Sequence, residues 1–191
     1  MNKTYPVFPL PEFVIFPFVK APLHIFEPRY RGMIDQVLDR DGKFCIATLC
    51  HKQRIEGGEE FHATGCLCKL VDYRHFNDGR YNIIIEGLES VTMTEVQSPE
   101  LYRQVSIQSR KIDTCEFTDE MILELNKFVK KLGDTNQDLV DYVSGLSYEA
   151  KFMNLIYYSP INSQHKQELL EMTDLSIAYR KLIALSSEFL N

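Results

Sequence analysis

Hydrophobic and polar positions alternate in two different rhythms along this chain, and the change falls near Asp113. Before it, apolar residues come in short runs or at every second position. In "GLESVTMTEV" and "YRQVSIQS", Val91 and Met93, then Val105 and Ile107, alternate with polar neighbours as half-buried strands do. "FCIATLC" is a continuous apolar run suited to a buried strand, "RYNIII" is rich in β-branched residues, and "FNDGRY" supplies a turn. "RIEGGEEF", Arg54 to Phe61, reads as an exposed loop. About six strands are expected, with one helix among them.

That helix is announced by proline. The stretch from Phe8 to Met33, "FPLPEFVIFPFVKAPLHIFEPRYRGM", holds five of the eight prolines of the chain. Because proline fixes φ and removes a donor, the segment must be short extended pieces broken by turns. Pro28 suits the first position of a helix, with Glu27 beside the N-terminus. Tyr30, Met33, Ile34, Val37 and Leu38 then share one face, and Gly42 is placed to end the helix.

After Asp113 the spacing of three and four takes over. In "FTDEMILELNKFVKKLG", Thr118 is a cap, and Met121, Ile122, Leu125, Phe128, Val129 and Leu132 form an apolar stripe ended by Gly133. "QDLVDYVSGL", "SYEAKFMNLIYY", "NSQHKQELLEM" and "DLSIAYRKLIALSSEFL" continue as helices. In the last, Leu175, Ala178, Leu182, Leu185 and Phe189 lie on one face. The expected class is therefore α+β: a barrel-like β domain over residues 1–112 and a helical bundle over 113–191.

Composition narrows the chemistry. With 45% hydrophobic and 12% aromatic residues the chain has ample material for a core. A net charge of -6 builds in no general attraction to phosphate backbones or anionic membranes. Five cysteines, with no signal-peptide pattern at "MNKTYPVF" and no long apolar run, point to a reducing cytoplasm and free thiols. Cys45, Cys50, His51, His62, Cys66 and Cys68 are zinc-ligand types, but their spacing is that of strands, where thiols serve as small hydrophobes. Cys50 and His51, adjacent in a strand, point to opposite faces and make no nucleophile-base pair. Arg29 and Arg31 are read as pairing with Asp35, Glu27 or barrel carboxylates rather than holding an anion. Lys127, Lys130 and Lys131 read as a solvated helix face.

The stretch from Phe8 to Met33 resembles the opening signature of the Lon N-terminal substrate-binding domain family, in which a proline-bracketed strand pair leads into E-P-R-Y-R-x-M. "GCLCKLVDYRHFNDGRYNIIIEGLESVTM" is similar to its second signature, and "NSQHKQELLEMTDLSIAYRKLIALSSEFL" to its closing helices. Together these cover roughly residues 5 to 190. The resemblance implies a PUA-like, cereblon-related β pseudobarrel followed by a helical bundle. It also implies a non-enzymatic protein that binds unfolded or partly folded polypeptides, without cofactor, alone or with a separate protease or adaptor partner. The full Lon protease continues into an ATPase and a peptidase, whereas no G-x-x-x-x-G-K-[ST] occurs in these 191 residues, so a free-standing member is expected. Phe18 stands where relatives often carry glycine, and Cys66 and Cys68 where they often carry small residues. Phe18 and Phe76, placed in turns beside strand pairs, are the candidate peptide-binding residues. An RNA-binding PUA-like module is the alternative, against which the acidic balance argues.

Overall fold

A computed structural model describes residues 3–55, 58–113, 117–133 and 137–190, with side chains described except at 51–59, 128, 131–139 and 186–190. The chain divides into two compact units, Met1–Arg110 and Lys111–Asn191.

Seven strands and one helix build the first unit: β1 (Thr4–Leu10), β2 (Lys20–Ile25), α1 (Pro28–Leu38), β3 (Lys43–Ile55), β4 (Gly58–Phe61), β5 (Thr64–His75), β6 (Tyr81–Val96) and β7 (Gln104–Ser109). Antiparallel pairing joins β1 to β7, β7 to β6, β6 to β5 and β5 to β3. Parallel pairing of β1 with β3, Val7 opposite Cys45 through Leu10 opposite Thr48, returns the sheet to its start. Five strands therefore form a ring, and β2, paired to β6, and β4, paired to β3, hang outside it.

Alternation fills this ring. Tyr5, Val7, Cys45, Ala47, Leu67, Val91, Met93 and Val105 form one buried cluster. On β3 the intervening Phe44 and Ile46 are buried too, so the run "FCIA" is covered on both faces, as its continuous apolar character predicts. The stretch from Arg54 to Phe61 corrects the loop reading: Arg54 pairs with Glu59, Ile55 with Gly58 and Leu49 with Phe61. Gly57 and Gly58 suggested a loop, but Gly58 opens β4 opposite Ile55, since a glycine can stand in a strand beside a turn; Gly57 lies outside the described residues.

Helix α1 begins at Pro28 with Glu27 as N-cap, and its Tyr30, Met33, Ile34 and Val37 are buried. The Tyr30 ring lies 4.3 Å from that of Phe8 on β1. At the far end Gly42, with φ 74°, donates its N–H to Val37 O at 3.1 Å.

In the second unit five helices follow: α2 (Asp119–Gly133), α3 (Gln137–Ser144), α4 (Tyr148–Tyr158), α5 (Ser163–Leu170) and α6 (Leu175–Leu190). Thr118 caps α2 by accepting from Met121 N at 3.3 Å, and Asp174 caps α6 by accepting from Ser176 N at 2.8 Å and Ile177 N at 3.1 Å. Leu125 and Val129 of α2 and Leu175, Ala178 and Leu182 of α6 are buried on the expected stripes. The side chains of Phe128, Leu132 and Phe189, assigned to the same stripes, lie outside the described residues. Asn154 and Ser159 are buried polar side chains that bond to α4 itself, through Ala150 O and Ile156 O. No helix among the described residues is long and apolar enough to cross a membrane.

Candidate functional site

The turn before β2 carries the first candidate residue. Phe16, Pro17, Phe18 and Val19 close a four-residue turn, with Val19 N–H donating to Phe16 O at 3.3 Å. Proline at the second position and a positive φ at the third, 64° at Phe18, are the pattern of a type II turn. That third position favours glycine, because a Cβ there crowds the backbone at a cost of roughly 1–2 kcal/mol. The turn is pinned to β6: Phe18 N–H donates to Gly87 O at 2.8 Å, and Gly87 N–H to Val19 O at 2.9 Å. Glycine is required at 87, since an added Cβ would stand 2.1 Å from Phe16 O. The result is an aromatic ring 39% exposed on a backbone fastened at several points.

Phe76 sits on the turn between β5 and β6. Its N–H donates to Arg80 O and its carbonyl accepts from Gly79 N, both at 2.9 Å, with Gly79 at φ 83°. The guanidinium carbons of Arg74 and Arg80 lie 5.0 and 5.9 Å from the Phe76 ring centre, so this half-buried ring is flanked by two cations. Arg80 also pairs with Asp78 at 2.7 Å, which holds the Asp78 carboxyl below its ordinary range. Arg31, reaching from α1, donates to Asp78 O at 2.9 Å. Arg29 pairs with Glu27 at 2.9 Å as expected, whereas Arg31 finds a main-chain carbonyl instead of the expected carboxylate.

The two candidates are not brought together. Phe18 stands next to the end of the β2–β6 ladder where Lys20 meets Glu86, and Phe76 next to the end where Ile25 meets Tyr81. The six steps of strand from Tyr81 to Gly87 amount to about 20 Å. Near Phe76's end stands Phe26 instead, 61% exposed and stacked at 6.0 Å on His24. Sequence reasoning passed over Phe26. A signal existed: an apolar residue before a helix N-cap commonly packs on the fourth helical residue, and here that residue is Arg31.

Cys45, Cys66 and Cys68 are buried free thiols and Cys50 is half-buried. Burial pushes the Cys45 and Cys68 thiols well above their ordinary range. Among the described residues no group of three or more His, Cys, Asp or Glu converges as metal ligands. The His51 side chain, read from the sequence as facing away from Cys50, lies outside the described residues.

A closed β ring with one helix, an outer strand, and a helical second unit define an α+β chain of two units. The chain belongs to the ATP-dependent protease La (LON) substrate-binding domain family, whose profile matches residues 4–186. It is 25% identical to the Lon protease of Parabacteroides distasonis over 202 aligned positions, 99% of this chain and 24% of that protein. It is likewise 25% identical to Lon protease 2 of Desulfotalea psychrophila, covering 92% of this chain and 24% of that one. The chain thus spans about a quarter of the length of the curated relatives it matches. The fold is that of the N-terminal domain of Mycobacterium avium complex Lon protease, with TM-score 0.71 at 20% identity over 97% of this chain and 98% of that one. The Lon N-terminal domain protein of Xanthomonas campestris follows at TM-score 0.70 and 18% identity, with the same coverage.

Proposed function

We propose that this domain is a non-catalytic holder of unfolded or partly folded polypeptide in the cytoplasm, acting through exposed aromatic side chains fixed at strand ends. One observation carries the reading. Phe18 keeps a large ring in solvent on a left-handed backbone that glycine would occupy at lower cost. Strain of this kind persists where the surroundings enforce it, and it clusters at binding sites. Partners of the held segment, whether a separate protease or an adaptor, belong to the same proposal, as does Phe76 as a second contact.

The test pairs affinity with stability on one variant. Reduced, carboxymethylated lactalbumin serves as the unfolded probe. Phe18→Ser is expected to weaken its binding about ten-fold, the loss of roughly 1–3 kcal/mol of apolar contact, with little change in melting temperature. A lowered melt with proportionate loss of binding would assign Phe18 to the core. Affinity for single-stranded RNA that falls steeply with salt, with none for the unfolded protein, would overturn the reading in favour of nucleic acid.

A further inference from the structure

Asp-Gly steps occur twice in the chain, at Asp41–Gly42 and Asp78–Gly79, and both aspartates are exposed in turns of the first unit. Such a step is where a main-chain nitrogen most readily reaches a side-chain carboxyl, because glycine has no Cβ to shield its nitrogen. The glycine nitrogen attacks the aspartate Cγ and gives up its proton, and one carboxyl oxygen leaves as water, closing a five-membered imide. Water then opens the imide. When it enters at the former main-chain carbonyl, the chain continues through the side-chain carbon as isoaspartate, with one methylene added to the backbone. One water leaves and one returns, so no oxidant or cofactor is needed.

The fold treats the two steps alike at the nitrogen and differently at the carboxyl. Gly42 N–H donates to Val37 O at 3.1 Å and Gly79 N–H to Phe76 O at 2.9 Å, and both glycines are left-handed, with φ 74° and 83°. The Asp78 carboxylate is clamped. Arg80 donates to it from Nε at 2.8 Å and from its main-chain N–H at 3.1 Å, and a terminal guanidinium nitrogen stands 2.7 Å away. Led by the Arg80 side-chain bond, these contacts favour the ionised form of Asp78, and a carboxylate, unlike a carboxylic acid, offers no good leaving group.

Asp41 has no such clamp. Among the described residues the cation beside it is Lys43, at 3.9 Å and beyond hydrogen-bond reach, and 54% of the Asp41 side chain is exposed. Asp41–Gly42 is also the joint between α1 and β3. Gly42 gives its N–H to the last turn of α1 and accepts the Leu70 N–H of β5 at 2.8 Å, so an added methylene here displaces the end of the helix from the sheet.

We propose that Asp41 is the residue at which the folded chain isomerises spontaneously to isoaspartate, and that Arg80 holds Asp78 back from the same reaction. The product bears a free α-carboxylate on a lengthened backbone, the class of substrate that an isoaspartate carboxyl methyltransferase accepts.

For the test, the full chain is kept in warm, near-neutral buffer over several weeks and sampled for methyl acceptance from S-adenosylmethionine with such a methyltransferase. Digestion with a protease that cleaves before aspartate and not before isoaspartate assigns the position. In the parent, isoaspartate is expected at 41 about five-fold faster than at 78. Arg80→Gln is expected to raise the rate at 78 about five-fold, the upper end of what one exposed ion pair changes in a rate, and to leave 41 as it was. Arg80→Lys, which keeps the charge on a single nitrogen, should fall between. Asp41→Glu, which could close only a six-membered ring, is expected to lose most of the methyl acceptance while melting like the parent. The aged fraction of the parent should melt below the fresh protein.

Equal rates at 41 and 78 in the parent would overturn the assignment, as would an unchanged rate at 78 in Arg80→Gln. Isoaspartate that forms only in urea would overturn it too, since the native turn at 41 would then protect its aspartate without a clamp.

Discussion

The Tyr81 hydroxyl donates to Asp35 Oδ1 at 2.5 Å, tying the start of β6 to the middle of α1. His75 stacks on the same Tyr81 ring at 4.3 Å. Burial, and next the Asp35 carboxylate, push the Tyr81 phenol up to about 12. The unfolded phenol titrates near 10, so the folded value is the higher one, and the stabilisation is complete below about pH 10. It is lost as pH rises toward and through 12. Tyr81→Phe is expected to cost about 1.5–3 kcal/mol at neutral pH, the range for a bond to a charged group. The gap between parent and variant in urea titrations should close between pH 10 and 12. A gap that is constant over that interval would detach the tyrosine from this bond.

Two glycines of the first unit should respond oppositely to alanine. At Gly87 the new Cβ would meet Phe16 O at 2.1 Å and Cys66 Sγ at 3.1 Å, and the nearer of these is backbone. Gly87→Ala should cost more than about 3 kcal/mol, at the severe end for single substitutions. Gly32, inside α1, has nothing within 4 Å of its ideal Cβ. There alanine should add up to about 1 kcal/mol, because it lowers the entropy lost by a helical residue. Equal effects at both sites in chemical denaturation would contradict the described approach of the turn to β6.

Phe18→Gly separates strain from contact. Removing the Cβ from a left-handed position should stabilise the fold by about 1 kcal/mol, and removing the ring should lower affinity for unfolded polypeptide about ten-fold. Calorimetry and a binding titration on the same protein decide it. A destabilised variant would mean that the ring contributes more to packing than its exposure indicates.

The buried thiols provide a probe of ring opening. Cys45, Cys66 and Cys68 are all buried and are expected to react with a disulfide reagent only as fast as the ring opens, and at Cys45 and Cys68 burial also disfavours the attacking thiolate. Their rates should rise with urea in step with global unfolding. Rapid modification of all three in native buffer would show that strands β3 and β5 separate locally.

Much of this architecture was legible in the order of residues. Pro28 marked the start of α1, alternation marked β6 and β7, and spacings of three and four marked the helices of the second unit. Pairing partners were not legible. The parallel contact of β1 with β3 has no local signal, since both strands would look the same beside any neighbour. Arg54 to Phe61 was misjudged because charged and glycine residues suit a hairpin outside a ring as well as a loop. Phe18 and Phe76 were singled out for standing in turns. That they lie at opposite ends of one ladder follows from the register of β2 on β6, which periodicity does not encode. The left-handed backbone of Phe18 was equally hidden, because a Pro-Phe step is compatible with turns of either type.

Closure of the ring by β1 sets an order of events during synthesis. Residues Thr4–Pro6 pair with Ser106–Gln104, the last strand of the unit, so β1 leaves the ribosome well ahead of this partner. At 5–20 residues per second β1 waits on the order of 5–20 s for it. Over the stretch from Phe8 to Phe26, which includes strand prolines Pro9 and Pro22, each proline withholds a backbone donor and so disfavours strand pairing with a neighbouring copy on the same polysome.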